Sequence, residues 1–150
     1  MGALFQTGGF KREEQEIREH GEKVLGFFGS RLVGYRLNQP ASVLSYANRR
    51  RLEIARAMAT KPEVILLDEP VAGMNPKESE ELTGLIGKLR DEWGFTIVMI
   101  EHDMGVVRDV SDRVVVLDHG ETIAQGSYDE VSSDPAVIEA YLGRPAEEAS

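Results

Sequence analysis

The chain has 150 residues, no cysteine, and 17 Lys+Arg against 26 Asp+Glu, for a formal net charge of -9. That length suits one domain with a buried core, and 41% hydrophobic with 29% charged residues excludes a disordered chain. No apolar run approaches the roughly 18 residues of a membrane span, and the lack of cysteine excludes disulfides, a thiolate zinc site and a cysteine nucleophile, which fits a reducing compartment.

Met1-Gly2-Ala3-Leu4-Phe5 has no basic segment followed by an apolar one, so no signal peptide is expected. Residues 1–10 carry three glycines and no charge and are expected to be irregular. From Lys11 to Phe28 the pattern becomes helical, with Ile17, Val24, Leu25 and Phe28 on one stripe. Residues 29–43, with Gly29, Gly34 and Pro40, read as a connector. A second helix is expected from Tyr46 to Thr60, capped by Ser45. Its apolar side is read as Leu52, Ala55 and Ala59, with Arg49, Arg50, Arg51 and Arg56 around the rest.

Pro62 breaks the chain before Val64-Ile65-Leu66-Leu67, a run without alternation that reads as a strand buried on both faces. It ends at Asp68-Glu69-Pro70. The next helix starts at Asn75-Pro76 with Glu78 completing a capping box, and its stripe is Leu82, Leu85, Ile86 and Leu89. Gly94 ends it, and Phe95 to Ile100 is a second buried strand. A short helix near 104–110 precedes a hairpin over Arg113–Asp118 and Glu121–Ala124, turning at His119-Gly120. Ser127 and Glu130 offer another capping box, and Asp134-Pro135 opens a last short helix ending at Gly143. This order of elements predicts an α/β fold with a largely parallel sheet.

In such sheets ligands collect at the carboxyl ends of strands, where Asp68-Glu69 and Glu101-His102-Asp103 fall. Asp68 offers the hard oxygen ligand that Mg²⁺ prefers. Glu69 can orient or deprotonate a water, and His102 can donate to a phosphate; each could equally be a solvated strand-end residue. Ser45 heads a helix whose N-terminus can receive an anion, or is an ordinary cap. Residues 1–75 hold 11 basic and 9 acidic side chains, and residues 76–150 hold 6 and 17. The acidic second half argues against nucleic acid as a partner.

Taken in order, these motifs resemble the ATP-binding subunit of ABC transporters. Leu44-Ser45-Tyr46-Ala47-Asn48, followed by Arg-Arg-Arg-Leu-Glu-Ile-Ala-Arg-Ala, is similar to the signature motif and its helix. Val64–Glu69 resembles the Walker B strand, Gly73-Met74-Asn75-Pro76 the D-loop, and Ile100-Glu101-His102-Asp103 the switch-histidine segment. Leu-Glu-Ile-Ala-Arg-Ala, Ala-Gly-Met-Asn-Pro and Val-Ile-Glu-Ala-Tyr-Leu-Gly are similar to ATPases of branched-chain amino-acid importers. The signature departs from the usual pattern at Ala47, where glycine is the rule, and at Asn48, where glutamine is.

The resemblance implies a partial P-loop NTPase domain. A helical-subdomain portion would span residues 1–60 and the C-terminal part of the ATPase core residues 61–150. It implies ATP and Mg²⁺ as cofactors, with Asp68 holding the metal through water, Glu69 activating the attacking water and His102 sensing the γ-phosphate. Ser45, Tyr46, Ala47, Asn48 and Asn75 would lie at the nucleotide interface. A second ATPase subunit and transmembrane permease subunits are the implied partners, at the cytoplasmic face of the plasma membrane. A non-catalytic module pairing with an intact ATPase is the alternative. The phosphate-cradling pattern G-x-x-x-x-G-K-[ST] does not occur: Gly87-Lys88 is followed by Leu89, and Leu82 stands where the first glycine belongs. The chain therefore reads as the C-terminal part of such an ATPase, inactive by itself, with apolar sheet faces or edges left uncovered.

Overall fold

The computed structural model describes residues 8–142. They begin in a helix, α1 (Gly8–Phe27). Helical residues thus start earlier than expected, and residues 1–7 of the stretch read as irregular lie outside the described ones. Val24 and Phe28 are buried at its C-terminal end, but Ile17 is 66% exposed. The stripe predicted from periodicity is therefore used only over the last turns. Three short 3₁₀ turns over 29–31, 34–36 and 41–43 form the connector.

Helix α2 (Tyr46–Ala59) follows, then strand β1 (Val64–Asp68), helix α3 (Pro76–Asp91) and strand β2 (Thr96–Ile100). β1 and β2 pair in parallel, Val64 opposite Thr96 and Asp68 opposite Ile100. The start of α3 obeys its sequence: Asn75 Oδ1 accepts the Glu78 N–H at 3.0 Å, and Glu78 Oε2 accepts the Asn75 N–H at 3.4 Å. Its stop is Gly94, whose φ of 70° is the left-handed conformation glycine adopts without steric cost. Leu82, Ile86 and Leu89 of α3 are fully buried. Close by, Trp93 meets Phe27 edge-on at 5.8 Å and stacks on Phe95 at 6.1 Å, with the Lys23 ammonium 5.5 Å from its ring.

Two sequence expectations are corrected in this part. The core face of α2 is Ala47, Arg51, Ile54, Ala55 and Met58, not Leu52, Ala55 and Ala59. A buried arginine broke the apolar pattern and rotated the inferred stripe. The strands are also not buried on both faces. Ile65 is buried, but Val64, Leu66, Val98 and Ile100 are 48%, 75%, 53% and 64% exposed. In a parallel pair these four side chains share one face, and among the described residues nothing covers it.

The described residues divide into two units, one ending at Ile100 and the other starting at Glu101. The second holds α4 (Met104–Val110), the hairpin strands β3 (Val114–Asp118) and β4 (Glu121–Gly126), α5 (Tyr128–Ser132) and α6 (Pro135–Val137). A single π-helical turn over Ile138–Leu142 continues α6, so the expected last helix is present in two pieces, with Gly143 outside the described residues. The hairpin is antiparallel, with an irregularity between Val116 and Leu117. Ser127 and Glu130 form the expected capping box, and Val106, Val131 and Val137 are buried.

Candidate functional site

The first cluster is the start of α2. Ser45 is extended at φ -59° and ψ 160°, and its Oγ accepts the Asn48 N–H at 3.4 Å. The Ser45 carbonyl accepts from Arg49 at 2.9 Å. The amides of Tyr46 and Ala47 lie ahead of the first intrahelical bond, as at any helix start, and carry the partial positive charge of that end. Ala47 lies within the helix and is 1% exposed, so its methyl group belongs to the core. Tyr46 is half exposed, with the Arg50 guanidinium 5.5 Å from its ring. Hydrogen bonding to Tyr46, and then to Glu53, holds Arg50 above its ordinary pKa.

Asn48 lies in the first turn of α2. It is buried, and its Oδ1 accepts from Arg51 Nη1 at 3.3 Å. Arg51, 1% exposed, also donates to Glu81 Oε2 at 3.1 Å. Glu81 receives Arg31 on both oxygens at 2.8 Å. Burial, then the neighbouring Arg31 charge, pulls the Arg51 pKa down, and Glu81 acts in the opposite sense. Sequence reasoning missed this network. The signal was an arginine at i+4 from Ala47 and i−3 and i−4 from Ile54 and Ala55, on what proves to be the core face.

The second cluster is the carboxyl end of β1. Asp68 is exposed there. Glu69 follows at φ 42°, a left-handed conformation rare for a residue with a side chain. Its N–H still donates to the Ile100 carbonyl at 2.9 Å, so the ladder reaches one residue past the strand. Two tight turns follow, Ala72 N–H to Glu69 O and Met74 N–H to Val71 O, both 3.1 Å. Gly73, at φ 74°, lies under Tyr46: a Cβ built there would be 3.7 Å from Tyr46 Cε1. The segment after the strand thus touches the start of α2. A cavity of about 200 Å³ lies between α2 and β1, lined in part by Arg50, Glu53, Leu66 and Asp68. Asn75 forms the α3 capping box.

In the second unit, His102 presents a 70% exposed side chain. Asp103 caps α4, its Oδ1 accepting from Gly105 at 2.9 Å and Val106 at 3.3 Å. Sequence reasoning placed Glu101 in the strand-end cluster but gave it no role of its own; its side chain is 2% exposed.

Asp68 fits a hard cation by donor type. Among the described residues no group of three or more His, Cys, Asp or Glu could by itself hold a metal ion. Such an ion would need waters and phosphate oxygens to complete its shell. The start of α2 fits an anion by its charge and its leading amides.

The family described as ABC transporter matches residues 5–72, and the one described as branched-chain amino acid ATP-binding cassette transporter matches residues 121–147. The chain is 43% identical, over 95% of its length, to the high-affinity branched-chain amino acid transport ATP-binding protein BraF of Pseudomonas aeruginosa. It is 44% identical, over the same share, to LivG of Escherichia coli, a protein of the same description. It covers 55% of each, so the chain spans about half the length of these relatives. Among solved structures, the ADP conformation of MJ1267, an ATP-binding cassette of an ABC transporter, superposes with a TM-score of 0.75 at 32% identity. That match covers 86% of this chain and 51% of the other.

Proposed function

The chain belongs to the ATP-binding proteins of ABC transporters, and from that premise we propose that it provides the signature, Walker B and switch elements of an importer ATPase energising branched-chain amino-acid uptake. Asp68-Glu69 carries this reading: two carboxylates at the end of a parallel strand, the second held in a strained backbone conformation. Strain of this kind costs about 1–3 kcal/mol and persists where the local structure enforces it, often at functional sites.

Each residue has a role in the proposal. Asp68 would hold Mg²⁺ through water; the ion supplies charge neutralisation at the transferred phosphoryl group. Glu69 orients the attacking water and takes its proton. His102 donates a hydrogen bond to the terminal phosphate of the nucleotide. Ser45 and the amides of Tyr46 and Ala47 face a nucleotide held by a second ATPase subunit. Asn48 donates its N–H to Ser45 Oγ while Arg51 holds its side chain, and Asn75 fixes the start of α3 through its capping box. No helix among the described residues is long and apolar enough to cross a membrane. Peripheral attachment to permease subunits at the cytoplasmic face is part of the proposal.

The sequence carries no phosphate-cradling glycine loop. Positioning and charge neutralisation account for most of phosphoryl-transfer catalysis, so the chain alone is expected to release no phosphate from ATP above background. Steady hydrolysis by the purified chain, abolished by Glu69→Gln, would overturn this. A second reading, a non-catalytic module that lends Ser45 to an intact ATPase, is favoured by the exposure of Ser45 at the helix start. Titrating the chain into an intact homologous ATPase tests it. A change in rate that Ser45→Arg removes supports it, and an unchanged rate overturns it.

A further inference from the structure

We propose that Glu101 is a positioning residue for His102, fixing both its backbone and the face of its imidazole. The proposal deepens the role given above to His102. Glu101 follows directly on β2 and is an acid withdrawn from water, its side chain 2% exposed. Its Oε1 accepts the N–H of His102 at 3.0 Å and of Asp103 at 3.2 Å. The other oxygen, Oε2, is buried and has no hydrogen-bond partner among the described residues.

A half-satisfied buried carboxylate is costly, and such a group in a folded protein calls for an explanation. The cap of α4 is not that explanation, because Asp103 already supplies it. What the carboxylate does touch is the backbone of His102 and Asp103 and, more distantly, the His102 ring. The chain is held on the N-terminal side of the imidazole by Glu101 and on the C-terminal side by Asp103, while the ring itself is exposed. His102 Nδ1 lies 3.8 Å from Glu101 Oε1. A carboxylate beside Nδ1 favours the proton on that nitrogen and leaves Nε2 turned away from it. Selection of one tautomer by a neighbouring acceptor is how histidines are oriented in general.

The test is made on the full chain by nuclear magnetic resonance. The imidazole signals of His102 are assigned against those of His20 and His119 with a His102→Ala variant. The expected wild-type result is neutral His102 mainly in the Nδ1–H form, with slow amide exchange at His102 and Asp103. Glu101→Gln keeps an acceptor oxygen and removes the charge. It is expected to shift the imidazole toward the Nε2–H form while retaining amide protection to within a few-fold. Glu101→Ala is expected to speed exchange of both amides by at least about tenfold, the loss of one charge-assisted hydrogen bond each. A mainly Nε2–H ring in the wild type, or imidazole signals unmoved by Glu101→Gln, overturns the proposal even if Glu101→Ala does not fold. Failure here leaves the role of His102 in hydrolysis intact. That role fails separately, if His102→Ala in an intact homologous ATPase leaves the rate unchanged.

Discussion

At the scale of single residues, the structure separates arginines that a sequence presents as equivalent. Arg51 is enclosed and shared between Asn48 and Glu81, whereas Arg18 is paired with Glu22 in the open. Removing one partner of a buried pair strands a charge away from water, which costs about 3–5 kcal/mol; an exposed pair contributes less than about 1. Glu81→Ala is therefore expected to lower stability by about 3 kcal/mol, measured as a shift in the urea midpoint, with Glu22→Ala nearly silent. Equal shifts would mean that burial of Arg51 is not the deciding factor. The same network shows why the site was only partly legible. The places of Ser45, Asp68, Glu69 and His102 at the ends of elements could be read because the local pattern of each element is strong. The pairing of Arg31 and Glu81 with Arg51 and the burial of Glu101 could not, because nothing local marks the partners that a fold later brings together.

At the scale of elements, starts and stops were the most readable features, since caps are chemistry between near neighbours in sequence. The Asn75–Glu78 box is present as read, and Asn75→Ala is expected to cost about 1 kcal/mol in thermal unfolding. The Ser127–Glu130 box adds a pH dependence. The Ser127 amide, and after it the Ser127 hydroxyl, hold the Glu130 carboxyl below its ordinary pKa. A carboxyl lowered in the folded state contributes its stabilisation above the ordinary glutamate value and loses it as pH falls through the lowered one. The Ser127 amide resonance should therefore move over that acidic range, and Glu130→Gln should abolish the movement. Gly126 belongs to the same arrangement, since a Cβ there would come within 2.6 Å of Glu130 Oε2. Side-chain faces were less readable than boundaries. Periodicity reports which residues are apolar, and α2 buries a cation, while the exposed half of α1 keeps Ile17 in solvent.

At the scale of the whole molecule, the β1–β2 sheet is written for burial on two sides and covered on one. Val64, Leu66, Val98 and Ile100 present a contiguous apolar face, which favours self-association. Light scattering of the purified chain is expected to show concentration-dependent oligomers, reduced by Leu66→Lys. Because Leu66 is three-quarters exposed, that change should leave the unfolding midpoint nearly unmoved. A monomer at every concentration would show that the face tolerates water. The α/β class was legible because unbroken apolar runs flanked by capped helices have few other solutions. The uncovered face was legible only by combining those runs with the absent glycine loop. One further consequence belongs to the aromatic stack. Trp93 is the sole tryptophan of the chain, and it lies between Phe27 and Phe95 in the first unit. Its fluorescence is thus an optical label for that unit alone. Emission and far-ultraviolet ellipticity followed through the same melt will coincide if the two units unfold together and separate if they do not.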